Sequence, residues 1–379
     1  MRPPLYGPPG SGPDPAFGVP PGERDGGIRA GGAAPPYGRI ACVNESGAEH
    51  EERLLAGARR GDEAAFEELV RRHRGGLYTH CYRMLGSPHD AEDALRESLV
   101  AAWRGLAGFQ GDGPVRAWLF RSATNACLRA SARRPRRMLS EEYGPAREDV
   151  HDLGEPVPGP VWIEPLPARS QQNAPDPAAH LRRESIELAF VAALQRLPGT
   201  QRATLILSDV LGFGAAEVAG MLDTTPASVG GALQRARAVV DQRTPDPSQR
   251  SELSALGGDG RRALVSAFAS AWEHADVPAL LALLTEDARI TMPPLPAWFE
   301  GHTDVGRFLS ERVFATPWRL LPVTANGQPA FACYRHDGRH FPLCAVSVLN
   351  LRGGRICWIA GFTDPHVAQT FGVPTQFPT

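Results

Sequence analysis

From Asp62 onward, apolar side chains recur three and four residues apart. Phe66, Leu69, Val70, Leu77, Cys81 and Leu85 predict one helical face, with Asp62 as cap and Gly86 as stop. Gly75-Gly76 weakens the middle of that helix, by about 1 kcal/mol per Gly relative to Ala. Ser87-Pro88-His89-Asp90 reads as a fresh helix start, and Ala91, Leu95, Leu99, Ala102, Trp103 and Leu106 form its stripe. A Gly-rich loop, Phe109–Gly113, leads to a third helix. That helix opens at Pro114, buries Val115, Trp118, Leu119 and Ala126, and ends before Pro135. A second helical block spans about Leu181–Val240. Within it Gln201–Val210 and Ala215–Leu222 read as helices and Asp223-Thr224-Thr225 as a turn. Thr225 then caps a helix carrying Pro226 in its first turn and Val229, Leu233, Ala236 and Val240 on one face. This is a helix-turn-helix, whose second helix suits a major groove. Beyond about Arg261 the period changes: one helix, then strand-like runs at 288–292, 318–324, 330–334, 344–351 and 356–362. Gly353-Gly354 sits between the last two as a hairpin turn.

Composition divides the chain further. Residues 1–40 hold ten Gly and ten Pro, too little apolar surface to offset the entropy of ordering. We read 1–47 as a disordered tail, or as a segment upstream of a translation start near Val43. The first helical domain is 48–140, an acidic Pro-rich linker 141–180, and the helix-turn-helix domain 181–243. A second linker covers 244–260 and an α+β domain 261–379. The fold class is therefore multidomain: two all-α domains followed by an α+β domain.

Charge sharpens this picture. The 40 basic residues, all Arg, stand against 42 acidic ones for a net charge of −2. The absence of Lys excludes Schiff-base and P-loop lysine chemistry. Seven Arg and no acid lie between Pro114 and Arg137: Arg116, Arg121, Arg129, Arg133, Arg134, Arg136 and Arg137. With Phe109, Trp118 and Phe120 nearby, this run suits a nucleic-acid strand with unstacked bases, by phosphate contact and stacking. The bland alternative is a solvated basic face. In the helix-turn-helix, Ala227, Ser228, Gly230, Gly231, Gln234 and Arg235 point outward. Arg235 and Arg237 suit phosphates or guanine, and Gln234 suits adenine. Six scattered cysteines, with no CxxC pair, read as buried thiols of a reducing compartment. No long apolar run or secretory signal is present, so a cytoplasmic protein is expected, with no cofactor and no metal.

Several stretches resemble bacterial RNA polymerase sigma factors of the extracytoplasmic-function type. They are Asp90-Ala91-Glu92-Asp93-Ala94-Leu95, Ala117 to Leu128, Leu194-Gln195-Arg196-Leu197-Pro198, Asp209-Val210-Leu211-Gly212 and Leu233-Gln234-Arg235-Ala236-Arg237. The resemblance covers roughly residues 50–243. It implies a first domain that binds the polymerase and melts the minus-ten element, and a second that reads the minus-thirty-five element. On that basis Asp90, Glu92, Asp93, Arg96 and Trp103 are expected to face the polymerase. Promoter DNA would meet Phe109, Trp118, Asn125, the seven arginines and, in the second domain, Ser228, Gln234, Arg235 and Arg237. The chain departs from the family at Arg96, where Gln is usual, and at Gly230-Gly231, where a polar pair is usual. Trp162-Ile163-Glu164-Pro165 resembles a Trp-Leu-x-Pro motif of sigma subgroups with C-terminal extensions.

Residues 261–379 resemble the SnoaL-like α+β cone, through Trp272-Glu273-His274-Ala275-Asp276, Leu283 to Ala288, Met292-Pro293-Pro294 and Trp298-Phe299-Glu300-Gly301. Such cones enclose a pocket, and some are enzymes while others only bind, so the fold leaves function open. Pocket candidates are Trp272, Met292, Trp298, Tyr334, Cys344, Trp358 and Phe362, with His302, His340 and Asp364 as polar groups; for each aromatic, a plain core role is the alternative. No catalytic spacing stands out. The expected function is a sigma factor, not an enzyme, whose C-terminal domain modulates activity and accepts a small-molecule ligand. The alternatives are a stand-alone DNA-binding regulator and a SnoaL-like enzyme fused to a DNA-binding module.

Overall fold

The structure, a computed structural model, describes residues 40–109, 114–168, 186–244 and 247–378, with side chains from residue 49 onward. The chain divides into two units, residues 1–50 and 51–379. Helix α1 spans Ile40–Arg59, so it begins inside the stretch expected to be a disordered tail; 40–46 contain neither Gly nor Pro. Residues 1–39 lie outside the described residues. All later elements belong to the second unit.

Helices α2 (Glu63–Leu85), α3 (Pro88–Gly105) and α4 (Val115–Ala132) form the first bundle. Their starts follow local chemistry. Asp62 accepts a hydrogen bond from the Ala65 amide at 3.1 Å and Ser87 from the Asp90 amide at 3.3 Å, satisfying donors that the first helical turn leaves unpaired. Gly86 ends α2 at φ 70°, where a side chain would be strained. Leu69, Leu77, Leu95, Leu119 and Phe120 fill the core between the three.

His80 is fully buried here. Its Nε2 faces Thr124 Oγ1 at 2.9 Å, and burial, with Arg83 nearby, lowers its pKa to about 3. The neutral ring is thus the folded form, whereas an unfolded chain takes up the proton near pH 6.5. Stability is therefore lost as pH falls below 6.5. Between pH 7 and 5 the loss amounts to about 2 kcal/mol. Urea titrations at the two pH values should show that difference, and a His80→Gln variant should remove most of it.

The second helical set is α5 (Leu188–Gln195), α6 (Gly199–Leu205, continuing as a wider π turn over Ile206–Val210), α7 (Ala215–Met221) and α8 (Pro226–Asp241). Thr225 caps α8 through the Ser228 amide at 3.2 Å. Val229, Ala236 and Val240 are buried, as their spacing predicts.

The C-terminal part holds α9 (Gln249–Glu273), α10 (Val277–Leu283), α11 (Gly301–Glu311), α12 (Pro365–Gln369) and six strands. These are β1 Leu284–Thr291, β2 Trp298–Glu300, β3 Trp318–Ala325, β4 Gln328–Arg335, β5 Leu343–Arg352 and β6 Arg355–Phe362. The sheet runs β2-β1-β6-β5-β4-β3, antiparallel except for β1 beside β6. Gly353 and Gly354 form the expected hairpin at φ 60° and 73°. Alternation sorts each strand between two faces. Phe331, Cys333, Ala345, Leu349 and Ile359 face α9 and α11, while Ala330, Val346, Val348, Trp358 and Ala360 belong to the core on the other side.

Two segments expected as linkers are built into the fold. Within 244–260, α9 begins at Gln249, whose side-chain amide pairs with both backbone groups of Leu351, donating at 2.8 Å and accepting at 2.6 Å. Glu187 accepts from the Gln249 and Arg250 amides at 2.9 Å each. Gly257 breaks the helix at φ 71°. Within 141–180, residues up to 168 form a strap and 169–185 lie outside the described residues. The Arg147 amide donates to Trp298 O at 2.8 Å and the Val157 amide to Pro294 O at 2.9 Å. Both segments are short of long apolar runs, and they are held by these distant polar partners together with buried Val150, Ile163, Leu166 and Leu253.

Candidate functional site

Helix α3 presents part of the expected polymerase face. Glu92 and Asp93 are exposed enough to offer carboxylates, with Arg74 at 3.4 Å from Glu92 and Arg96 paired to Asp93. Asp90, expected on the same face, is 5% exposed and ion-paired with Arg137 at 2.7 Å and with Arg134. Trp103 is half-buried against Phe66, ring centroids 5.1 Å apart. Val100, on the same helix, is a large apolar side chain 49% exposed.

The run of seven arginines has no acid within it, but other segments supply them. Arg121 meets Asp223 at 2.9 Å, Arg129 meets Glu97 at 2.8 Å, and Arg136 pairs with Glu142. Arg137 is 5% exposed, bonded to Asp90, to Glu164 at 3.0 Å and to Trp162 O; burial pushes its pKa below the usual guanidinium value. Arg116 donates to Leu211 O at 2.7 Å and lies 4.2 Å from the Phe213 ring. Arg133 is exposed and Asn125 half-buried. Arg121, Arg129, Arg133, Arg134 and Arg136 stay exposed, Arg116 is half-buried and Arg137 is buried.

Phe109 stacks on Trp118 at 4.9 Å and lies under Arg59 at 5.6 Å. The two rings line a cavity of about 550 Å³ together with Arg121 and, from α7, Glu217, Gly220 and Met221. Residues 110–113 of the expected base-clamping loop lie outside the described residues. The helix-turn-helix thus lies on α4: Phe213 contacts Phe120 edge-on at 5.8 Å, beside the Arg116 and Arg121 bonds. On α8, Ser228, Gln234 and Arg235 are exposed. Arg237 is exposed and pairs with Asp209 through bonds of 2.7 and 2.8 Å. At Gly230 an added Cβ would meet nothing within 4 Å, so open space and not crowding surrounds this glycine.

The cone holds a cavity of about 320 Å³. Of the expected residues, Trp272 and Met292 line it. Trp298 instead donates to Gly144 O of the strap at 2.9 Å, and Tyr334 to Pro374 O at 2.9 Å. Trp358 donates to Thr291 Oγ1 at 2.9 Å from the other side of the sheet. His302 is half-buried in α11, and His340 is exposed in the loop before β5. Cys344, Phe362 and Asp364 are likewise absent from the lining. Residues not singled out from the sequence take their place: Leu153 of the strap, Arg312, Trp318, Cys333, Arg335 and Ser347. Strand parity explains the exchange, because Cys333 and Ile359 are the neighbours of Tyr334 and Trp358 and point the opposite way. Burial pushes the Cys333 thiol up to about 12.

The five described cysteines are free. Among the described residues no metal-ligating cluster occurs, and no helix is long and apolar enough to cross a membrane.

Comparison with known proteins accounts for this arrangement. Residues 69–137 match sigma-70 region 2, residues 187–239 sigma-70 region 4, and residues 265–359 the SnoaL-like domain. The ECF RNA polymerase sigma factor SigG of Mycobacterium tuberculosis is 40% identical over 86% of this chain and 88% of its own. The sigma factor SigM of the same species is 32% identical over 54% of this chain and 90% of its own. The crystal structure of M. tuberculosis SigJ superposes with a TM-score of 0.52 at 22% identity, covering 81% of this chain and 98% of that one, and so shares the fold. The chain belongs to the extracytoplasmic-function family of RNA polymerase sigma factors, which direct transcription initiation, and it carries a SnoaL-like domain behind its two sigma regions.

Proposed function

We propose that this form of the sigma factor is closed, and that opening precedes promoter binding. Its partners are core RNA polymerase, met through Glu92, Asp93, Arg96 and Trp103, and promoter DNA, met through the α4 arginines, Asn125, Phe109, Trp118 and the exposed end of α8. One observation carries the reading. Arg116 and Arg121, on the α4 face nearest the Phe109–Trp118 cavity, are occupied by Leu211 O and Asp223 of the helix-turn-helix. A strand cannot use those guanidiniums until the second domain moves away. The C-terminal domain modulates this equilibrium and takes a small molecule, acting as a binding module and not as an enzyme. That its cavity lining contains no His, Asp or Glu supports binding over proton-transfer chemistry.

Run-off transcription with core polymerase tests the proposal. The wild-type protein should give promoter-dependent product. An Asp223→Asn/Phe213→Ser variant, which keeps every α4 arginine, should raise product and core association several-fold. Absence of core association would remove the sigma role. Unchanged activity in a folded variant would remove the closed state alone.

A further inference from the structure

The cavity in the cone has chemistry of its own. Its body is apolar, walled by Trp272, Met292, Phe308, Trp318 and Ile359. Of the hydroxyl residues in the lining, Thr291 accepts from Trp358 Nε1 at 2.9 Å, Ser347 accepts from the Cys333 thiol at 3.4 Å, and Thr363 donates to Pro293 O at 3.1 Å. Trp272 Nε1, buried in the wall without a hydrogen-bond partner, is a further donor there. Among the described residues, the charged groups in the lining are the exposed Arg312 and Arg335, and no carboxylate lines it. Neither forms an ion pair among the described residues, in a protein where most arginines of the 116–137 run do. Two guanidiniums without an ion pair, one of them 6.0 Å from the Trp318 ring, beside an apolar hollow match an acid group on an apolar body. The volume sits at the lower end for small-molecule sites, suiting a two-ring aromatic or a medium-length alkyl chain.

Leu153 brings the strap into the lining. The strap is tied near the cavity by the bonds to Trp298 O and Pro294 O. Its far end carries Glu164, bonded to Arg137 beside Asp90. An occupant of the cavity therefore touches the segment that runs back to the sigma domains.

We propose that the cone binds an apolar organic acid, its acid group at Arg312 and Arg335 and its body against Leu153. This rests on the reading that the C-terminal domain takes a small molecule and specifies which kind.

The full-length protein is titrated with 8-anilinonaphthalene-1-sulfonate and with N-phenyl-1-naphthylamine, the same two-ring body without the acid. The sulfonate should occupy one saturable site and be displaced by decanoate but not by decanol. An Arg312→Gln/Arg335→Gln variant should weaken sulfonate binding by about tenfold or more, the loss of a charge-assisted contact, and leave the neutral probe unchanged. Decanoate should also slow amide exchange in residues 145–157. Equal sulfonate binding by the variant overturns the acid specificity while leaving a small-molecule site. If neither probe saturates, or both still bind when Ala345→Trp fills the cavity, the site itself is overturned. Should Ala345→Trp fail to fold, as judged by its melting curve, Ser347→Leu gives the same comparison.

Discussion

Replacing Arg137 by Ala should destabilise the helical part by about 3–5 kcal/mol, the loss expected when a buried ion pair is broken from one side. The guanidinium is 5% exposed and serves Asp90, Glu164 and Trp162 O at once. Asp90 is as buried as its partner, so removing the cation strands a carboxylate away from water with Arg134, and His89 at 3.8 Å, to answer it. Arg137→Lys should rescue little, because one ammonium cannot reproduce a planar fork reaching three acceptors. Pairing Arg137→Met with Glu164→Gln should recover part of the loss, since one of the stranded charges is then gone. Differential scanning calorimetry checks this directly. A change under about 1 kcal/mol, typical of an exposed pair, would mean that the cluster is solvated.

Asn326→Leu should release the C-terminal domain from the helical part. Asn326 sits in the β3–β4 turn, fully buried and at φ 54°. Its amide donates to Tyr82 Oη at 2.8 Å and to Ile186 O at 2.6 Å, and its carbonyl accepts from the Leu166 amide at 2.8 Å. One side chain thus joins α2, the strap and the start of the second sigma domain. Leu leaves those groups unsatisfied, at about 1–3 kcal/mol each, and is strained at positive φ. The combined loss is on the order of 3–6 kcal/mol. Asn326→Gly keeps the backbone geometry and should show the hydrogen-bond part alone. Limited proteolysis should then cut within the strap, and small-angle scattering should show a larger radius of gyration. An unchanged cleavage pattern and radius in a folded Asn326→Leu protein would place the interlock elsewhere. Opened this way, the sigma factor should also respond less to probes bound in the cone.

Much of the secondary structure is legible because its causes are local. The caps at Asp62, Ser87 and Thr225 act on amides three residues away, and the hairpin glycines act on their own backbone. Strand β2 escapes notice because three residues show no period. The start of α9 escapes because its anchors, Glu187 and Leu351, lie 62 and 102 residues away.

The candidate sites divide along the same line. Helix order, the helix-turn-helix and the family motifs are properties of neighbouring residues, and they are enough to identify a sigma factor with a C-terminal cone. Whether an arginine is available to DNA depends on long-range partners. Arg129 finds Glu97 32 residues away, Arg137 finds Asp90 at 47 and Arg121 finds Asp223 at 102. A local surplus of seven positive charges therefore becomes, once folded, a partly neutralised helix under the second sigma domain. In the cone, spacing marks Tyr334 and Trp358 as large aromatics, but only sheet pairing and strand parity decide that Cys333 and Ile359 face the cavity. Local spacing determines which elements form and in what order, because helix and turn energetics act within a few residues. Charge pairing and enclosure act across space, so only the tertiary structure decides which of those residues remain free to bind.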